Sequence, residues 1–68
     1  MEPNWIRIYS SSQLWQVEMK RSVLASEGIS SVIVNKKDSA YLFGEYEIYV
    51  SVDDAFRANQ IIIKSNSE

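Results

Sequence analysis

The chain has 68 residues, with seven basic and nine acidic side chains, a formal net charge of −2, and neither cysteine nor histidine. That length makes one small domain, residues 1–68, which buries only about 60% of the surface its unfolded form exposes and is marginal as a monomer. The missing residue types exclude a disulfide framework, a thiolate metal site, a thiol nucleophile and an imidazole base, and the acidic balance argues against binding driven by nucleic-acid phosphates or an anionic membrane.

Charged and apolar fractions of 24% and 46% fall in the ordinary globular range, so a folded domain is expected. No apolar run approaches the ~18 residues of a membrane span, and the N-terminus lacks the basic start and apolar run of a signal peptide. A soluble, cytoplasmic protein is the expectation. Disulfides, metals and self-association are the usual supports of small domains, and the last is the most available here.

Residues 1–4 form a polar lead-in in which Pro3 cannot donate to a sheet ladder. Residues 5–9 alternate, with Ile6 and Ile8 on one side and Trp5, Arg7 and Tyr9 on the other, which predicts a first strand. Ser10, Ser11 and Ser12 then offer candidate N-caps for a helix over residues 12–27. Leu14, Val17, Arg21 and Leu24 give it one largely apolar stripe, and Trp15, Met19 and Val23 give it a second. Two stripes mean either a wide buried face, with the stem of Lys20 laid along it, or a second contact surface. Gly28 is placed for a left-handed C-cap, after which Ile29 can fold back on the last turn.

Residues 31–35 read as a short β-branched strand. The connection over residues 36–44 is longer than a tight hairpin and richer in apolar side chains than a solvated loop requires. The strand at residues 45–52 has the clearest period-two pattern, with Tyr46, Ile48, Val50 and Val52 opposite Glu45, Glu47, Tyr49 and Ser51. Asp53 and Asp54 mark the start of a second helix, whose Ala55, Ala58 and Ile62 line one face. A polar tail over residues 64–68 is expected to fray.

The element order β-α-β-β-α predicts an α+β fold: a three-stranded mixed sheet of order 1-3-2 with both helices on one face. This is the ferredoxin-like plan without its last strand. The helix side is expected to carry Ile6, Ile8, Val32, Val34, Tyr46, Ile48 and Val50. The open side is expected to carry Trp5, Arg7, Tyr9, Ile33, Glu47 and Tyr49. So much aromatic surface on a free face, together with an unpaired first strand, implies that something covers this sheet.

The segments NWIRIYS (4–10), LASEGI (24–29), VNKKDSAY (34–41) and FGEYEIYVSV (43–52), followed by DDA (53–55), resemble a family of short bacterial proteins. Its members are described as signal-transducing proteins of unknown function, with a ferredoxin-like plan often likened to the nitrogen-regulatory PII proteins. The likeness spans nearly the whole chain, and the NKKDSAY segment with the following FG is its most distinctive part. It implies the fold, a bacterial origin and a role in signalling, and no catalytic residues. In PII proteins the loop between the second and third strands binds partners and carries a modifiable tyrosine, and Tyr41 lies in the corresponding loop. That loop is far shorter here, and no matching motif surrounds Tyr41.

The residues themselves offer little catalysis: no histidine to activate a serine, and no glycine-rich phosphate loop, since Gly28 and Gly44 are the only glycines. No catalytic residue, metal ligand or cofactor is expected, and Asp53–Asp54 reads as a helix cap. Trp5, Tyr9 and Tyr49 imitate the base-stacking platform of an RNA-recognition sheet, but Glu47 shares their face and the net charge is negative, so nucleic acid is disfavoured. Lys36 and Lys37 either hold an anion or form a solvated turn. Tyr41, Leu42 and Phe43 either plug the open end of the core or present an apolar tip. The expected function is therefore a non-enzymatic regulatory or protein-interaction domain. It would act through Trp5, Arg7, Tyr9, Glu47 and Tyr49 and through the loop 36–44, with a homodimer burying the open face as one form of association. The alternative is a small-ligand or anion sensor at the loop 36–41.

Overall fold

The computed structural model describes residues 4–36 and 45–66. The chain order is β1 (Trp5–Ser11), α1 (Leu14–Ser26), β2 (Ser31–Asn35), β3 (Tyr46–Ser51), a 3₁₀ turn (Val52–Asp54) and α2 (Ala55–Asn66). The three strands form one sheet in the order β1-β3-β2, with β3 in the centre. Both pairings are antiparallel, so the expected mixed sheet is corrected on that point: β1 and β2 run the same way but are separated by β3. The fold is α+β, with the two helices on one face of the sheet.

The core joins Ile48 and Val50 of β3 to Val17 and Leu24 of α1, Ala58 and Ile62 of α2, and Ile29. Those residues interlock because β3 points alternate side chains at the helices, while each helix brings one stripe down. The stripe of α1 is Val17, Lys20 and Leu24; Leu14 and Arg21, expected to lie on it, stay exposed at its margin. Trp15 and Met19 are 59% and 49% exposed, so they belong to an outer surface and not to a widened buried face. Lys20 is buried, donates to Ser65 Oγ and places its ammonium 5.7 Å from the centroid of the Tyr9 ring. A buried ammonium is tolerable because a hydroxyl and a ring face replace part of its hydration.

The ends of α1 are fixed by different means. Ser12 does not cap it; β1 runs on to Ser11, whose Oγ accepts from the Gln13 amide at 3.1 Å and donates to Gln16 Oε1. At the other end Gly28 adopts φ +81°, and its N–H and that of Ile29 donate to Ala25 O and Leu24 O, each at 3.0 Å. This is the six-to-one and five-to-two bonding of a Schellman cap, closed by the contact of Ile29 with the core. Ahead of α2 the cap is Ser51, whose hydroxyl accepts from the Asp53 amide; Asp53 and Asp54 occupy the 3₁₀ lead-in, where they favour the positive end of the helix. The helices run antiparallel: Arg57 near the start of α2 donates to Glu27 O at the end of α1, and Ser65 near the end of α2 meets Lys20.

Candidate functional site

The face of the sheet turned away from the helices is set by register. In the β1–β3 pair Trp5 opposes Ser51 and Arg7 opposes Tyr49; in the β2–β3 pair Val32 opposes Tyr49 and Val34 opposes Glu47. Directly opposed residues share a face, so Trp5, Arg7, Glu47, Tyr49, Val32 and Val34 all lie on the side without helices. The expectations for β2 are thereby reversed. Ile33 opposes Ile48 and packs toward the core, and Val32 and Val34 take the open side. The reason is that Val32, Ile33 and Val34 are all apolar, so the strand carries no internal signal of which phase faces inward.

Tyr9 is a second correction. The β1–β3 register shifts between Arg7 and Tyr9, a β-bulge at Ile8, and beyond it Tyr9 opposes Ile48 on the helix side. One extra residue turns the rest of the strand over, so Ile8 and Tyr9 both pack against the core and Ser10 takes the open-face position beside Glu47. Of the predicted open-face set, the structure brings together Trp5, Arg7, Glu47 and Tyr49, and removes Tyr9.

Glu47 is the centre of what remains. The Tyr49 hydroxyl donates to its Oε1 at 2.8 Å and Arg7 donates to its Oε2 at 3.0 Å, so both carboxylate oxygens are engaged. Tyr49 stands two residues along the same strand, and Arg7 reaches across the diagonal from β1, the geometry by which long side chains on one sheet face meet. The Glu47 side chain is only 12% exposed, against 57% for Arg7. Burial pushes the Glu47 carboxyl up, but the bonds from Tyr49 and Arg7 and the charges of Arg7 and Lys36 outweigh it and hold the carboxyl below its ordinary value. The hydrogen bond to Glu47 pushes the Tyr49 phenol up, with burial and the carboxylate charge adding and Arg7 opposing.

Lys36 extends the face at the end of β2. Its amide donates to Glu45 O at 3.0 Å, continuing the ladder, and its charge acts on Glu47. Lys37, Tyr41, Leu42 and Phe43 lie outside the described residues. Val32 and Val34 were missed by sequence reasoning; only the strand register, which no local pattern encodes, could have found them. Around the cluster the face is apolar and aromatic, with Val32 41% exposed and Trp5, Val34 and Tyr49 half-buried.

Chemically the arrangement is closed on itself. The one carboxylate at its centre is held by two donors, and among the described residues no group of acidic side chains gathers as a metal site. Two surface depressions lie elsewhere, one of about 360 Å³ between Val23, Glu27, Ile61, Lys64 and Ser65, the other of about 410 Å³ around Arg21, Ala25 and residues 28–31. Neither includes a residue of the open face.

Residues 5–66 match the family model described as "Putative prokaryotic signal transducing protein". The chain belongs to this family. The matched span runs from the first residue of β1 through the last of α2, so the whole sheet, both helices and every described open-face residue lie within it. No curated protein and no solved structure gives a significant match. Among the described residues no helix is long and apolar enough to cross a membrane.

Proposed function

We propose that this protein is a non-catalytic signalling domain that receives a partner protein on its open sheet face. The observation that carries the reading is the Arg7–Glu47–Tyr49 cluster, set among Trp5, Val32 and Val34 on a face that no described element covers. Interface centres favour aromatic and apolar side chains and arginine, with few unpaired charges, and this face has that make-up. The family description supports a role in signalling. Loss of Tyr9 from the face weakens the stacking alternative, because only Trp5 and Tyr49 remain and the Tyr49 hydroxyl is bonded to a carboxylate.

A photo-reactive residue at Val32 in cells should cross-link to one dominant protein. Titration of that purified protein should then show binding weakened at least tenfold by Trp5→Ala and by Val32→Asp, with far-ultraviolet circular dichroism unchanged. Equal binding by the wild type and both variants would remove the open face as the receptor surface.

A further inference from the structure

The face just described is not the only unfinished surface. Among the described residues the outer edge of β1 is unpaired, because the sheet ends there. Above it, α2 packs on β1 and β3, displaced from α1, which packs on all three strands. At 100° per residue, Arg57, Ile61 and Ser65 point toward α1, Ala58 and Ile62 point down, Asn59 points past the edge of β1, and Phe56 and Ile63 lie on that same flank, turned further from the sheet. The structure agrees: Arg57 and Ser65 bond to α1, Ala58 and Ile62 are buried, and Phe56 and Ile63 are 77% and 53% exposed. Ile6 opposes the fully buried Val50 on the helix side of β1, yet remains 43% exposed because no described element flanks it on the outer side. A bare strand edge roofed by an apolar helix flank is a slot for one more strand.

We propose that the occupant is β1 of a second copy, in an antiparallel pairing about a two-fold axis that joins two sheets into one of six strands. Spacing is the first argument. Strands in a sheet lie about 4.8 Å apart, so the axis passes about 2.4 Å outside β1, and a helix seated between β1 and β3 lies about 5 Å from it. The two α2 helices then stand about 10 Å apart, the separation at which packed helices interdigitate. A lone strand in the slot would leave the roof half empty; a second copy brings its own helix.

Self-complementarity is the second argument, since an isologous contact presents the same patch from both sides. With the helices antiparallel, Phe56 meets Ile63 of the second copy and Ile63 meets Phe56 of the second copy, and the dyad passes near Asn59. None of Phe56, Asn59 and Ile63 is charged, so two chains of net charge −2 meet there without opposing charges to desolvate. Phe56 alone offers on the order of 150 Å², towards the ~800 Å² per partner of a standard interface, with Ile6, Ile63 and the edge backbone adding to it. Pairing through this edge leaves both open faces free and side by side. It does not depend on what those faces bind.

The absence of cysteine makes the test direct. Asn59→Cys should oxidise to a disulfide-linked dimer, whereas Gln60→Cys, one position round the exposed side of α2, should not. In sedimentation equilibrium the wild type should be dimeric, and Phe56→Asp should raise the dimer Kd at least tenfold. Because Phe56 is 77% exposed, that variant should keep its far-ultraviolet circular dichroism. A wild type that stays monomeric at high micromolar concentration overturns the proposal. So does a dimer that survives Phe56→Asp but is lost on Val32→Asp, which would place the contact on the open face. A monomer whose edge takes up an extended segment of another protein overturns the second copy as occupant.

Discussion

Neighbouring residues of β2 give the sharpest test of the register on which the candidate site depends. Ile33 is half-buried and packs against the core, whereas Val32 is 41% exposed on the opposite face. Truncating a buried isoleucine to alanine costs about 2–5 kcal/mol, and partial burial puts Ile33→Ala at the low end, about 2 kcal/mol. Val32→Ala removes two methyl groups from an exposed face and should cost about 0.5 kcal/mol or less. A domain of 68 residues has roughly 3–10 kcal/mol of stability in all, so the first change is a sizeable fraction of the total and the second is not. In thermal melts followed by circular dichroism, Ile33→Ala should lower Tm by roughly 8–16 °C and Val32→Ala by about 4 °C at most. Urea titrations with unchanged slope would confirm that both are changes in stability and not in the unfolded chain. If Val32→Ala proves the more destabilising, the phase of β2 is wrong and Val32 and Val34 leave the candidate face.

Two other perturbations follow from local geometry. A Cβ built on Gly28 meets nothing within 4 Å, so Gly28→Ala should cost only the backbone term for a left-handed residue, about 1–2 kcal/mol, with Gly28→Asn costing less; a larger alanine penalty in the same melts would mean a steric clash instead. Glu47 is held below its ordinary value of 4.5, so the stability it contributes is present above that pH and is lost as pH falls through the lower folded-state value. Glu47→Gln should therefore be less stable than wild type at neutral pH, with the difference shrinking under acid. In the same variant the Tyr49 ring resonances should titrate closer to the ordinary 10.0; an unmoved titration would show that the hydrogen bond is not formed in solution.

Much of the architecture is legible in the sequence because its signals are local. The alternation over residues 45–52 identifies the central strand, and Gly28 followed by Ile29 identifies the cap and the residue that closes it. The order of elements then leaves few ways to join three strands and two helices. What was not legible is phase. A run of three apolar residues in β2 fits either face, and the bulge at Ile8 changes the side on which every later residue of β1 lies. Both depend on pairing with β3, a contact made across the fold. For the same reason the alternation of β1 places Tyr9 on the open face, whereas it lies beneath Lys20. The stem of Lys20 is expected along a wide buried face of α1, but the partners of its ammonium, Ser65 of α2 and the Tyr9 ring, follow only from the tertiary placement of those elements.

The register also explains how a carboxylate could sit at the centre of the proposed receptor face. Covering an unpaired Glu would require stripping its hydration with nothing in return, a cost that would disfavour any partner. Glu47 is already 12% exposed, with one oxygen bonded to Tyr49 and the other to Arg7, so most of its desolvation has been met within the fold. Arg7 differs. It is 57% exposed, and one bond to Glu47 leaves most of its five N–H donors directed at solvent. A protein that buries this face must supply acceptors for those donors, while Trp5, Val32 and Val34 ask only for apolar contact. Selectivity should therefore rest on what the partner places opposite Arg7, and affinity on what it places over the apolar residues. Arg7→Lys keeps the charge but loses the planar donor array, so it should weaken binding of the cross-linked partner more than it lowers Tm. Equal binding by Arg7→Lys and wild type would confine Arg7 to holding Glu47 in place.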